Sequence, residues 1–160
     1  MSCGLCCDGS LIGFVELGGE ELSRLRVLMD IEEFDMSGFF FLPCKNLSCN
    51  GCKIYPQRPK QCDNFNCEML KSIENKKLNF AEAIETINVI KKKRIAIEEK
   101  FDLLPFKLES PSFYFKVLEL KKLLQEDWSD ICKTQIVVKL LFDLDELNKL
   151  TLKSFGISYF

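Results

Sequence analysis

The sequence predicts a mainly α-helical protein. Its N-terminal cysteine-rich region, 1–67, carries short extended segments packed against a helical C-terminal half, 68–160, in a single domain spanning 1–160. Three observations lead there. The first 67 residues hold eight of the nine cysteines and seven of the eight glycines. Between 68 and 155 there is no glycine at all, which disfavours a sheet with tight turns. And the apolar residues of the second half recur at helical spacing.

Length and composition set the frame for these elements. A chain of 160 residues suits one domain, and at 47% hydrophobic with 14 Phe it has material for a real core. A chain of this size buries roughly 70% of its unfolded surface, so it needs neither metal nor disulfide merely to fold. The net charge of −2 gives no general attraction to nucleic acid or to an anionic membrane. The start, MSCGLCCDGS, lacks a basic and an apolar region, which predicts no secretory signal. Apolar runs such as QIVVKLLF fall far short of the ~20 residues that span a bilayer. Together these predict a cytoplasmic protein.

In chain order, SLIGFVEL (10–17) suits a strand or extended segment, closed by Gly18-Gly19. A helix is expected over 20–34, with Leu22, Leu25, Leu28 and Met29 on one face, broken at Ser37-Gly38. The Phe39-Phe40-Phe41 run reads as core and leads to Pro43-Cys44. From there to Cys67, Asn50-Gly51, Tyr55-Pro56 and Arg58-Pro59 disfavour regular structure. Asn79 and Glu82 form a capping box for a helix carrying Ile84, Ile87 and Ile90. Ser110-Pro111 starts the next, through Val117, Leu120, Leu123 and Leu124. A third follows Trp128-Ser129 with Ile136, Leu140, Leu144 and Leu147, and Gly156 ends it.

The cysteines carry the chemistry. Cys3, Cys6, Cys7, Cys44, Cys49, Cys52, Cys62 and Cys67 lie among turns, where closely spaced thiols of a reducing compartment serve as metal ligands more often than as disulfides. Two C-x-x-C pairs occur, Cys3/Cys6 and Cys49/Cys52, a spacing that lets one tight turn present two thiolates. Four sulfurs are what tetrahedral zinc or an iron–sulfur cluster demands, so eight allow one centre with spare thiols or two centres. A two-centre division would join Cys3, Cys6, Cys49 and Cys52, leaving Cys7, Cys44, Cys62 and Cys67. With no histidine in the chain, mixed cysteine–histidine zinc sites are excluded. Cys132, alone in the helical half, reads as a small buried hydrophobe.

These residues carry a resemblance. Cys3-Gly4-Leu5-Cys6-Cys7, then Cys44, then Gly51-Cys52-Lys53-Ile54-Tyr55-Pro56-Gln57-Arg58-Pro59-Lys60-Gln61-Cys62 resemble the YkgJ family of cysteine-cluster proteins. The resemblance covers 3 to about 67 and implies a zinc- or iron-chelating domain, some of whose members are labelled iron–sulfur proteins. Flagellin lysine methylases carry a similar cluster. Two departures stand out. The family motif has a further cysteine three residues ahead of the one matching Cys3, for which Cys49 is a candidate substitute. The family often has a basic residue where this chain has Asp63.

Around the thiols, Lys45, Lys53, Arg58 and Lys60 are suited to offset the negative charge of a thiolate centre. Arg58 suits a bond to a sulfur or to backbone carbonyls equally well as a surface ion pair. Tyr55 and Phe65 read as core. KKKR (91–94), flanked by Glu82, Glu85, Glu98 and Glu99, reads as a solvated helix face rather than a nucleic-acid site. There is no Gly-rich phosphate loop, and without histidine no side chain is nominated as a base for a cysteine nucleophile. The expected function is therefore binding of an iron–sulfur cluster or zinc, in a non-catalytic or electron-transfer role. The alternatives are a cluster-containing enzyme, of transferase or oxidoreductase type, and a zinc-stabilised adaptor for a protein partner.

Overall fold

The computed structural model describes residues 3–126 and 134–160. The expected break at Trp128-Ser129 and the buried role of Cys132 lie outside the described residues. The chain divides into two compact units, Met1–Asn66 and Cys67–Phe160. As expected, the second is helical, while the first holds the short strands and most of the cysteines. Among the described residues, no helix is long and apolar enough to cross a membrane.

In the first unit, strand β1 (Phe14–Leu17) pairs antiparallel with β3 (Ser37–Phe41), which also pairs with β2 (Glu32–Phe34), in the order β1-β3-β2. The register sets Val15 against Phe40 and Phe34 against Ser37. Strand alternation then decides which apolar residues reach the core. Val15, Leu17 and Phe40 are buried, and Phe14 and Phe41 emerge on the opposite face beside Phe39. The Phe39–Phe41 run thus contributes one core residue, Phe40, where the sequence suggested three.

Helix α1 (Gly19–Leu25) is shorter than the expected 20–34. Its backbone turns after Leu25, whose carbonyl accepts the N–H groups of both Leu28 and Met29, so Met29 still reaches the core. The residues beyond are claimed by the β2–β3 hairpin, whose two-residue turn begins at Asp35 with φ 51°. Asp is among the few residues that tolerate this left-handed conformation. Gly38 does not break the chain as expected; it lies within β3. A Cβ there would stand 2.8 Å from Leu22 Cδ2 and 2.9 Å from Ile31 Cγ2, so glycine lets α1 close on the sheet. The resulting core is Val15, Leu17, Leu22, Leu25, Met29, Phe40 and Leu42, with Cys44, Ile54 and Cys62 packed at its edge.

The second unit is built from α3 (Glu68–Glu74), α4 (Phe80–Phe101), α5 (Phe113–Glu126) and α6 (Gln135–Phe155). The capping box of α4 forms as expected: Glu82 N–H donates to Asn79 Oδ1 at 2.9 Å, and Asn79 N–H to Glu82 Oε2 at 3.2 Å. Ala83, Ile87, Ile90, Ile97 and Phe101 line its buried face. On α6 the buried stripe is Val137, Leu140, Leu144, Leu147, Thr151 and Phe155. The stripe begins at Val137 rather than at the expected Ile136, which is exposed. Gly156 ends α6 in the left-handed region at φ 73°, as expected. Within KKKR, Lys93 pairs with Glu146 at 2.9 Å and Arg94 with Glu98 at 3.6 Å, consistent with a charged helix face.

Candidate metal centre

Three chain segments of the first unit deliver thiols. The first is the N-terminal loop, where Gly4 at φ 74° and Gly9 at φ 76° permit two sharp turns. The buried Leu5 anchors the loop, and its carbonyl accepts the N–H groups of Ser10 and Leu11. The second runs from Cys44 to Cys52. Cys44 N–H donates to the Cys7 carbonyl at 2.8 Å, which ties this segment to the first. A hairpin follows, β4 (Leu47–Ser48) with β5 (Gly51–Cys52), in which Leu47 faces Cys52. Asn46 holds the hairpin's start to Leu28 through a 2.8 Å bond from its side-chain amide to the Leu28 carbonyl.

The third segment is α2 (Lys60–Asn64), which carries Cys62. Arg58-Pro59 ends the preceding 3-10 turn (Tyr55–Gln57) and sends the chain extended into α2, as proline disfavours helix before itself. Glu21 then fixes the helix start. Its carboxylate is buried and accepts Lys60 N–H at 2.8 Å and Gly18 N–H at 3.3 Å, with Arg24 3.7 Å away. Gln61 Oε1 accepts Glu16 N–H at 2.5 Å, joining α2 to β1. Cys62 is therefore held in place through Lys60 and Gln61, the two residues before it. The sequence did not single out Glu21 or Gln61; an acid inside an apolar helical stripe was the available sign.

Electrostatics show which thiols lie near one another. Burial pushes the Cys7 thiol up to about 11, with Cys44, Cys52, Asp8 and Cys3 adding repulsion. Burial likewise pushes Cys62 up to about 12, aided by Cys7, Cys44 and Cys52 and opposed by Arg58. Cys44 is raised by burial and by Cys52, against hydrogen bonds from the Asn46 and Leu47 backbone and the charge of Lys45. Cys7, Cys44, Cys52 and Cys62 thus interact in every pair, and Cys3 also acts on Cys7.

The remaining candidates stand differently. Cys49 is exposed at the turn of the β4–β5 hairpin, so the second C-x-x-C pair is split between a turn and a strand. Cys6 is half-buried in the N-terminal loop. Cys67 begins the second unit, where it precedes α3 as its N-terminal cap. Tyr55, expected in the core, is exposed instead and stacks under Arg58, whose Cζ lies 3.9 Å from the ring centroid. A recess of about 250 Å³ lined by Asn50, Gly51, Cys52 and Tyr55 opens beside Cys52.

The donor chemistry fits a soft metal: four partly buried thiols, no competing histidine, and cations at Lys45 and Arg58 to offset thiolate charge. Among the described residues, no group of three or more cysteine or acidic side chains is gathered closely enough to hold an ion as it stands. Loading such a centre therefore requires these side chains to draw inward.

Comparison with known proteins agrees with the donor set. A family model, CxxCxxCC, described as "Putative zinc- or iron-chelating domain", matches residues 1–96. No curated protein and no solved structure matches the chain. The family match covers more than half of the 160 residues and includes all eight N-terminal cysteines. The protein accordingly belongs to the CxxCxxCC family, described as a zinc- or iron-chelating domain.

Proposed function

We propose that Cys7, Cys44, Cys52 and Cys62 bind one iron–sulfur cluster, and that the protein serves in electron transfer or cluster handling without catalysing a reaction of its own. What supports this reading is that these four half-buried thiols come from three chain segments tied to one another, Cys44 N–H bonding the Cys7 carbonyl and Cys44 and Cys62 packing on one core, with mutual repulsion among the thiols. Four thiolates meet the ligand demand of a cluster, and they equally meet that of zinc. The preference for iron–sulfur rests on the resemblance of 51–62 to a family with iron–sulfur members.

When bound, a cluster supplies one-electron redox chemistry. The chain's part is to hold four thiolates in place and shed their protons. With Cys7 and Cys62 protonated well above neutral pH, binding releases protons and strengthens as pH rises. Cys3 stands by as a spare thiol beside Cys7, while Cys6, Cys49 and Cys67 are assigned no ligand role.

Single serine substitutions test the ligand set. Cys7→Ser, Cys44→Ser, Cys52→Ser and Cys62→Ser should each abolish stoichiometric metal, whereas Cys49→Ser should retain it. Retention of metal by any of the four, or its loss in Cys49→Ser, overturns the assignment. A colourless protein with one zinc per chain would keep the four ligands and replace the cluster by a structural ion. The adaptor reading would then lead.

A further inference from the structure

Arg58 carries a feature that neither its surface ion pair nor its stack explains. Its Nη2 pairs with Asp63 Oδ1, and its Cζ sits 3.9 Å from the centre of the Tyr55 ring. These two contacts fix the guanidinium plane from one edge and one face. Its Nε and Nη1, however, are buried without an acceptor among the described residues. An arginine held only for an ion pair on the surface would leave those donors to water. Here they are withdrawn from solvent in a side chain 18% exposed, which is unfavourable unless an acceptor arrives.

The acceptor on offer is sulfur. Arg58 is bonded to Asp63, the residue after Cys62 in α2, and its positive charge favours the Cys62 thiolate against the repulsion of the neighbouring thiols. A neutral thiol is a weak acceptor, and a metal-bound thiolate carries charge that a guanidinium stabilises well. The sequence links the parts: Tyr55, Arg58, Cys62 and Asp63 fall within nine residues, bent back on themselves by Pro56 and Pro59. Asp63 holds one edge of the guanidinium through Nη2.

Resting on the four-thiol reading, we propose that Arg58 is a positioning residue of the centre: its Nε–H and Nη1–H serve the thiolate charge that Cys62 and its neighbours acquire on loading, while Tyr55 and Asp63 hold it ready. It acts through the ligands and is not one itself. The carboxylate and ring fix the planar fork in place, a role for which lysine, a flexible point charge, is a partial substitute.

The test uses the full chain and Zn²⁺ alone as probe, competed against a colorimetric chelator, with the denaturant midpoint of the metal-free chain measured alongside. Arg58→Gln should weaken Zn²⁺ binding roughly 10–100-fold, the usual effect of losing such an outer partner, and leave the metal-free midpoint within error of wild type. Arg58→Lys should recover part of the loss. Binding within twofold of wild type in Arg58→Gln overturns the proposal. So does a fall in the metal-free midpoint large enough to account for the lost affinity. Cys62→Ser distinguishes the two levels: if it binds Zn²⁺ like wild type, the four-thiol reading itself fails. If it loses Zn²⁺ while Arg58→Gln does not, only the role of Arg58 fails.

Discussion

The two units stabilise themselves in different ways. The first, Met1–Asn66, has a small core cluster of seven buried apolar residues, with the partly buried Cys44 and Cys62 packed against it. Its strands are short, and its loops are held by single ties such as Glu21 to Lys60. The second, Cys67–Phe160, rests on long helices with continuous buried stripes, α4 against α6 above all. Phe101, Phe113 and Tyr159 stack there with centroids 5.8 Å apart at each step. Apolar burial of that extent holds a helical unit without help from ligands. The first unit instead has the half-buried thiols Cys44 and Cys62 packed against the edge of its core. The lesson is that one chain can join a unit closed by long apolar stripes to a smaller one whose core edge is lined by thiols.

That contrast can be broken in several ways, beginning with the largest effect. Stripping metal with a strong chelator should destabilise the first unit by about 4 kcal/mol for metal held at 1,000 times its dissociation constant. Hydrogen exchange would register this as lost protection across 3–66, with 80–101 and 135–155 unchanged. Equal loss in both units would mean that the scaffold depends on the centre. The mirror experiment is Leu144→Ala in the fully buried stripe of α6. It should cost about 2–5 kcal/mol of stability in the second unit, read by denaturant unfolding, and leave metal stoichiometry intact.

Alkaline pH sharpens the comparison further. Cys7 and Cys62 have thiols raised from an ordinary value of 9.0 to about 11 and about 12 in the folded chain. Between those limits the unfolded chain has lost protons that the folded chain keeps, so stability falls as pH rises. The contribution is whole below pH 9 and is lost progressively through pH 11 to 12. A metal-free sample should thus lose stability from about pH 9 upward in the first unit, and Cys7→Ser with Cys62→Ser should flatten that fall. A flat profile in the unsubstituted chain would show that these thiols are less buried than their surroundings indicate. The smallest expected effect is Asn79→Ala. It removes the α4 cap and should lower stability by about 1 kcal/mol in thermal unfolding, with no change in metal affinity.

How far the sequence could be read differs between the same two units. In the second, helical periodicity and end signals are local properties of the chain. Asn79 with Glu82 and Gly156 mark true boundaries, and Leu140, Leu144 and Leu147 are buried as their spacing implied. The short α3 was not anticipated, because seven residues without a strong cap carry little periodic signal. In the first unit, pairing between distant strands overrides local preference. The apolar pattern of 20–34 continues in helical register, yet the β2–β3 hairpin takes residues 32–34. Tyr55 looked like core by composition and is instead the platform for Arg58, a fact visible only once the turn brings them together.

The cysteines follow the same division. Their metal-binding character was legible from number, spacing and the lack of histidine. Which of them share a centre is a matter of proposal, because spacing does not say which thiols from distant segments meet. In the fold, Cys44 and Cys62 pack at the edge of one core and Cys49 is exposed on the hairpin turn.

The most direct test is the iron, sulfide and zinc content of the full chain purified without oxygen, with its visible absorption. The proposed centre predicts a brown protein with a broad visible band bleached by reductant, and iron and acid-labile sulfide lost together in Cys62→Ser. A wild-type chain that holds neither iron nor zinc would contradict the assignment of these four thiols as a metal centre.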